Sequence, residues 1–124
     1  MSKKILTIDD SSTVRKLVKF TLNSQGMQIV EAENGVEALE VLKNNAVDAI
    51  ILDINMPRMN GLEFLQKIKS EDNYAQIPVV MVTTEGQDED KERAFALGAE
   101  KYIVKPFKPS QLLAVLEQVL QGGK

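Results

Sequence analysis

Five short apolar runs alternate with five amphipathic stretches of helix length along almost the whole chain. Apolar runs this short and continuous are typical of strands in a parallel sheet that is covered on both faces. A helix between successive parallel strands returns the chain to the start of the next strand by a right-handed crossover. This alternation predicts a doubly wound α/β sandwich, with five β-α pairs and a parallel sheet in the strand order 2-1-3-4-5.

The predicted strands cover residues 5–8, 27–31, 47–52, 78–82 and 102–104. We expect the first helix to begin after an N-cap within 11–13 and to be ended by Gly26 as its C′ residue, and the second to begin after Asn34. The other helices are predicted at 62–69, 88–97 and 109–120. The fourth helix has few apolar residues, which are Ala94, Phe95 and Leu97, so we expect it to be the most weakly anchored element and a candidate moving part.

The residue counts exclude several classes of function. The chain has 124 residues, with 15 Lys and Arg against 18 Asp and Glu, and it contains no His and no Cys. Catalytic triads that use His, Cys/His zinc sites and disulfides are therefore excluded, and any bound metal must be a hard cation with oxygen ligands. The absence of a basic block argues against nucleic-acid or membrane binding. We also see no signal peptide or membrane span, and expect one cytoplasmic domain over residues 1–124.

Polar side chains follow four of the predicted strands, at the point where each strand ends. They are Asp9 and Asp10 after the first strand, Asp53 after the third, Thr83 after the fourth and Lys105 after the fifth. Doubly wound sheets bind ligands outside the carboxyl ends of their strands, so we expect these side chains to converge. Three carboxylates and one ammonium leave an excess of negative charge that a divalent cation balances. The pattern therefore predicts a site for Mg²⁺, for which Mn²⁺ could substitute.

A carboxylate beside bound Mg²⁺ can attack a phosphoryl group and form an acyl phosphate. Asp53 is the best candidate, because it follows the most apolar strand and is the only acid at its strand end. Lys105 and the metal would neutralise the phosphoryl oxygens, and the Thr83 hydroxyl could donate a hydrogen bond to one of them. The acyl phosphate would add about one unit of negative charge at a fixed point, which can serve as a signal.

Six short motifs occur in order at these strand ends: DD at 9–10, STVRK at 12–16, DINMPRMNG at 53–61, MVTTE at 81–85, GA at 98–99 and YIVKPF at 102–107. Together they resemble bacterial two-component response-regulator receiver domains, and among these the single-domain CheY-like chemotaxis regulators. The resemblance covers essentially the whole chain. It implies a flavodoxin-like fold, a monomeric state, and no output domain after the receiver.

The resemblance implies that Asp53 accepts a phosphoryl group from the phosphohistidine of a sensor histidine kinase or from a small phosphodonor. It also implies that Asp10, Asp53 and the backbone carbonyl of Asn55 bind Mg²⁺, with Asp9 acting through water. Since the chain has no His, the phosphoryl donor must be a separate molecule.

The resemblance further implies a switch, in which Thr83 moves toward the phosphoryl group and Tyr102 turns inward. The Lys105–Pro106 bond would be cis. The residues implied to tune hydrolysis of the acyl phosphate are Asn55, Thr84 and Glu85. The output surface would be the face of the fourth helix, fifth strand and fifth helix, which would dock on a target such as the flagellar motor switch or another motility protein. A phosphatase is a further candidate partner.

Plainer explanations exist for several of these residues. Asp9 and Asp10 could form a polar turn that caps a helix. Tyr102 could be a half-buried core aromatic with a wet hydroxyl. A row of cations on the first helix, Arg15, Lys16 and Lys19, is predicted to be a solvated face.

Two other functions compete with the receiver. A Mg²⁺-dependent small-molecule phosphatase or phosphotransferase would also use Asp53 as its nucleophile, but no further general acid or specificity insert is visible. A nucleotide or flavin carrier of the flavodoxin type would need a Gly-rich phosphate loop after the first strand, which this chain lacks.

Overall fold

Five parallel strands form one sheet at the centre of the part of the chain that the computed structural model describes, which is residues 3–56, 59–84 and 88–121. The strands are β1 (Lys4–Ile8), β2 (Gln28–Ala32), β3 (Ala49–Asp53), β4 (Val79–Thr84) and β5 (Lys101–Lys105). Their order is β2-β1-β3-β4-β5, which confirms the predicted fold class. The order reverses at β1 and β3, so the carboxyl ends of these strands border the cleft where doubly wound folds bind ligands.

The connecting helices are α1 (Ser12–Asn23), α2 (Gly35–Asn44), α3 (Gly61–Lys69), α4 (Asp88–Ala96) and α5 (Pro109–Leu120). The predicted N-caps are confirmed, because the side chains of Ser11 and Asn34 accept hydrogen bonds from the first turns of α1 and α2. Gly26, predicted to end α1 as its C′ residue, lies two residues beyond the Ser24 C-cap. The helix stops at Asn23, and Gly26 follows with a φ of 82°, a left-handed conformation that glycine adopts without strain.

The sheet separates two apolar cores. The core beneath α1 and α5 includes Ile5, Val18, Leu22, Ile51, Ile103 and Leu112. The core beneath α2, α3 and α4 includes Leu6, Ala38, Leu52, Phe64, Leu65 and Ala94. Successive residues of a strand face opposite sides of the sheet, so Asp53 and Lys105, each two residues after a member of the first core, project from the α1 and α5 face.

The fourth helix is weakly anchored, as its sparse apolar content predicts. Ala94 is its one buried residue, whereas α3 has five. Phe95 is 43% exposed and therefore does not anchor α4 to the core, which corrects its expected role. Leu17 of α1 and Val36 of α2 match the apolar spacing of their helices but are likewise 37% and 38% exposed.

Candidate functional site

The predicted site residues converge at the carboxyl ends of the strands. Asp53 is the last residue of β3, Asp9 directly follows β1, and Lys105 is the last residue of β5. Side-chain oxygens of Asp9, Asp10 and Asp53, one from each residue, lie within 4.8 Å of one another. We call these three residues the acidic cluster. Asp9 and Asp53 are buried, whereas Asp10 is exposed.

Lys105 provides the positive charge beside the acidic cluster. Its Nζ lies 3.0 Å from Oδ2 of Asp9 and 3.5 Å from Oδ2 of Asp53. Burial lowers the pKa of Lys105, but the hydrogen bond to Asp9 and the charge of Asp53 outweigh burial, and the pKa is raised. Lys105 therefore stays an ammonium at neutral pH and can neutralise an anion bound at Asp53.

Among the acids in the described part of the chain, Asp53 is the one with a clearly shifted pKa. Burial, followed by the negative charge of Asp9, raises the pKa of Asp53 from 3.8 to about 6. The charge of Lys105 opposes this rise, as does the backbone N–H of Asn55, which donates to Oδ1 of Asp53 at 3.3 Å. A bound cation stabilises the ionised form of a buried carboxylate most strongly when ionisation is costly. The cation offsets the repulsion between neighbouring carboxylates and replaces the hydration that burial removes.

Asp9 is held in one orientation by contacts at its backbone and its side chain. Its N–H donates to the Ala32 carbonyl at 3.1 Å. Oδ1 accepts the Ser11 N–H at 2.9 Å, which closes a local turn, and Oδ2 accepts Lys105. The residue that caps α1 is Ser11, so the interpretation of Asp9 and Asp10 as the helix cap is wrong. The side chain of Asp9 instead contributes to the cleft.

Thr83 brings a buried hydroxyl to the edge of the site. The residue is 1% exposed, and its Oγ1 has no hydrogen-bond partner among the described residues. An unsatisfied buried hydroxyl is costly unless a ligand supplies the missing partner. Thr84 and Asn55 are both exposed, so each can influence solvent access to the cleft. Glu85, the third residue predicted to tune hydrolysis, lies outside the described residues.

Tyr102 faces outward, toward α4. It is 41% exposed, and its ring packs edge to face against Phe95 with the ring centroids 5.6 Å apart. The ammonium of Lys91 lies 4.4 Å from the centroid of the same ring. This is not the half-buried core aromatic of the plainer interpretation. The outward position is the starting point that an inward turn of Tyr102 would require.

The donor set fits a hard divalent cation. Three carboxylates offer the oxygen ligands that Mg²⁺ prefers, and a site with so few protein ligands leaves positions for water and phosphoryl oxygens.

The Lys105–Pro106 peptide bond is cis, the isomer that the family resemblance implies.

Sequence reasoning missed two residues that shape the site. Gly61 begins α3 against the backbone of Asp53, and a Cβ there would lie 2.2 Å from the Asp53 carbonyl oxygen. Arg15, predicted to lie in a solvated face, has a side chain that is only 13% exposed and bonds to Glu31 and to the Asp9 backbone. The signal for each residue is its place in a motif, DINMPRMNG for Gly61 and STVRK for Arg15.

The strand order defines a flavodoxin-like α/β domain, and the acidic cluster at its switch point has the oxygen donors that suit a hard cation. The chain belongs to the response regulator receiver domain family, whose model matches residues 5–117. Receiver domains of this kind are signalling switches of two-component systems rather than turnover enzymes.

Known relatives resemble the chain over nearly its full length. It is 48% identical over 122 residues to a chemotaxis protein CheY homolog of Campylobacter jejuni, and the match covers 97% of this chain and 94% of that protein. It is 46% identical over 119 residues to chemotaxis protein CheY1 of Helicobacter pylori, covering 94% and 96%. The solved structure of the chemotaxis response regulator CheY4 of Vibrio cholerae matches with a TM-score of 0.90 at 39% identity, covering 96% of this chain and 99% of that one.

Among the described residues, no helix is both long and apolar enough to cross a membrane.

Proposed function

We propose that Asp53 accepts a phosphoryl group in a Mg²⁺-dependent reaction, and that the acyl phosphate changes the affinity of the chain for a partner in chemotaxis or motility. One observation carries the proposal. Asp53 lies within reach of two further carboxylates and an ammonium, and the buried Thr83 hydroxyl nearby has no partner among the described residues. The carboxylates suit a cation, and the two donors suit the oxygens of a phosphoryl group.

In the proposed reaction, a carboxylate oxygen of Asp53 attacks phosphorus in line with the leaving group. The new O–P bond forms as the P–N bond of a phosphohistidine, or the P–O bond of acetyl phosphate, breaks and its electron pair leaves with the donor. Lys105 stabilises the negative charge on the phosphoryl oxygens, and the Thr83 hydroxyl donates to one of them. Asp10, Asp53 and the backbone carbonyl of Asn55 would hold Mg²⁺, with Asp9 acting through water, and the cation would neutralise negative charge on the phosphoryl oxygens.

The proposed signal passes through Thr83 to α4. A hydroxyl drawn toward the phosphoryl group vacates space beneath α4, into which the Tyr102 ring can turn. Tyr102 would then leave its contacts with Phe95 and Lys91, which changes the face formed by α4, β5 and α5. The weak anchoring of α4 supports this, because an element with one buried residue costs little to shift.

The proposed partners follow from the relatives. Two of them are named as chemotaxis proteins, so a sensor histidine kinase is the proposed donor and a flagellar motor switch or another motility protein the proposed target. A phosphatase that resets the switch is a further candidate. Ile54, next to the phosphoacceptor, is 3% exposed and therefore contributes little to any partner surface in this state.

Incubation with acetyl phosphate and Mg²⁺ tests the proposal. We expect intact mass spectrometry to show one added phosphoryl group per chain, and no adduct to form when EDTA is in excess. The adduct should resist acid and hydrolyse in base, as an acyl phosphate does. Continuous release of phosphate from many phosphomonoesters, with no adduct on the protein, would instead support the small-molecule phosphatase.

Thr84 is expected to lengthen the lifetime of the acyl phosphate. Its exposed side chain ends β4 directly after Thr83, where it can narrow the path of the attacking water. We predict that Thr84→Ala accelerates dephosphorylation by up to about tenfold, equivalent to ~1.4 kcal/mol in the barrier. The rate is measured from loss of the adduct after donor removal. The control is Ser70→Ala, an exposed hydroxyl at the far end of α3, and equal rates in Thr84→Ala and wild type would contradict the role of Thr84.

A further inference from the structure

Arg15 contacts the acidic cluster at the backbone of Asp9 rather than at a carboxylate. Its Nε donates to Oε1 of Glu31 at 3.1 Å, and its Nη1 donates to the backbone carbonyl of Asp9. The neighbouring Lys16 is exposed to solvent, whereas the Arg15 side chain is 13% exposed. One guanidinium therefore links β2 to the residue that follows β1.

Glu31 is placed for this contact by the sheet. Ile29, two residues earlier on β2, packs in the core beneath α1 and α5, so Glu31 projects toward α1 from the same face. Lys19 lies one turn after Arg15 and approaches Oε2 of Glu31 at 3.6 Å, although its side chain is 51% exposed. The paired charges of Arg15 and Glu31 cancel, so the pair fixes geometry without placing a net positive charge behind a cation site.

The four polar groups of Asp9 divide into two sets. The two carboxylate oxygens face the cleft and contact Lys105 and the Ser11 N–H. The backbone N–H donates to the Ala32 carbonyl, and the backbone carbonyl accepts a hydrogen bond from Arg15. A cation in the cleft competes with Lys105 for the Asp9 carboxylate, and a phosphoryl anion competes with that carboxylate for Lys105, so the contact between Asp9 and Lys105 is the one that ligand binding disturbs. The backbone contacts are the ones that persist.

We propose that Arg15 is a positioning residue for cation binding, and that it keeps the Asp9 carboxylate aimed into the cleft by holding the Asp9 backbone against Glu31. This inference rests on the proposed cation site. The guanidinium suits the task because its planar fork reaches a carbonyl and a carboxylate at the same time, which a single ammonium does less well. Outer contacts of this kind typically change metal affinity about 10- to 100-fold when they are removed.

The test is the Mg²⁺ dissociation constant of Arg15→Ala, measured by isothermal titration calorimetry on the unphosphorylated protein. We expect it to rise by about 10- to 100-fold. Arg15→Lys should give a smaller rise, because it keeps the charge and loses the fork. Lys19→Ala is the matched control, since it removes the other cation at Glu31 but does not contact Asp9, and its dissociation constant should stay within about twofold of wild type.

Urea unfolding in EDTA separates positioning from a merely structural role. A folded Arg15→Ala that binds Mg²⁺ as tightly as wild type overturns the inference, whatever its loss of stability. If Arg15→Ala does not fold, the Mg²⁺ dissociation constant of Glu31→Gln is measured instead. This substitution weakens the ion pair that holds the Arg15 side chain but leaves the arginine in place. Weaker Mg²⁺ binding by Glu31→Gln than by Lys19→Ala supports the inference, and equal binding overturns it. Failure of the wild type to bind Mg²⁺ would overturn the proposed function as well.

Discussion

Asp53→Asn is expected to abolish phosphorylation by acetyl phosphate. An amide oxygen is a far weaker nucleophile than a carboxylate. The other two acids of the cluster are poor substitutes, because Asp9 already accepts Lys105 and the Ser11 N–H, and Asp10 is exposed. Intact mass spectrometry should show no adduct under conditions that fully label the wild type. The control is Asp72→Asn, which neutralises an exposed acid and should leave labelling unchanged, whereas an adduct of undiminished yield on Asp53→Asn would contradict the assignment.

The same substitution is expected to stabilise the metal-free protein at neutral pH. A pKa that rises from 3.8 to about 6 means that ionised Asp53 destabilises the fold near pH 7. Because the pKa of Asp53 is higher in the folded protein than in the unfolded chain, protonation of Asp53 favours the folded state. This stabilisation is fully present below about pH 4 and is lost as the pH rises through about 6. Asn carries no charge at any pH and avoids the cost.

Urea unfolding between pH 4 and 7 in EDTA measures this effect. The free energy of unfolding of the wild type should fall relative to that of Asp53→Asn as the pH rises, and Mg²⁺ should restore it in the wild type alone. Parallel pH profiles for the two proteins would contradict the raised pKa of Asp53.

Gly61→Ala is expected to damage both the fold and the site. A Cβ at this position would lie 2.2 Å from the Asp53 carbonyl oxygen and 2.7 Å from the Ile54 Cα, and neither backbone atom can move without shifting the end of β3. The Gly61 N–H also donates to the Ile54 carbonyl at 2.9 Å, so the two segments are held together. We expect a loss of about 2 to 3 kcal/mol in the free energy of unfolding. Phosphorylation should slow by about 100-fold, because Asp53 is displaced.

Gly26→Ala is the matched control for this effect. Gly26 has a φ of 82°, but no atom lies within 4 Å of the position that a Cβ would occupy, so alanine there adds strain without crowding. It should cost about 1 kcal/mol and leave the phosphorylation rate unchanged. Wild-type phosphorylation by Gly61→Ala would contradict the role of the close approach at Asp53.

The convergence of Asp9, Asp53 and Lys105 was predictable from sequence because it follows from topology. Parallel strands end at one edge of the sheet, so any polar residue directly after an apolar run is brought to that edge. The N-caps at Ser11 and Asn34 were predictable for a similar reason, since capping is a local interaction. The features that the sequence predicted correctly are therefore either local interactions or consequences of the parallel order of the strands.

The contacts of Arg15 and Gly61 could not be predicted, because they depend on distances between elements. Helical spacing places Arg15 and Lys19 on one face, but only the pairing of β1 with β2 brings Glu31 opposite them. Periodicity also marks a helix face without saying how far the neighbouring element covers it. Phe95 accordingly matched an apolar pattern yet lies beside Tyr102 at the surface.

The most direct test of the central claim is to locate the phosphoryl group by borohydride reduction. Reduction of an aspartyl phosphate yields homoserine, which peptide mass spectrometry can place in the chain. After labelling with acetyl phosphate and Mg²⁺, we predict homoserine at position 53 and intact aspartate at Asp9 and Asp10. Homoserine at either of these two positions, or unreduced Asp53 in a fully labelled sample, would contradict the assignment of Asp53 as the phosphoacceptor.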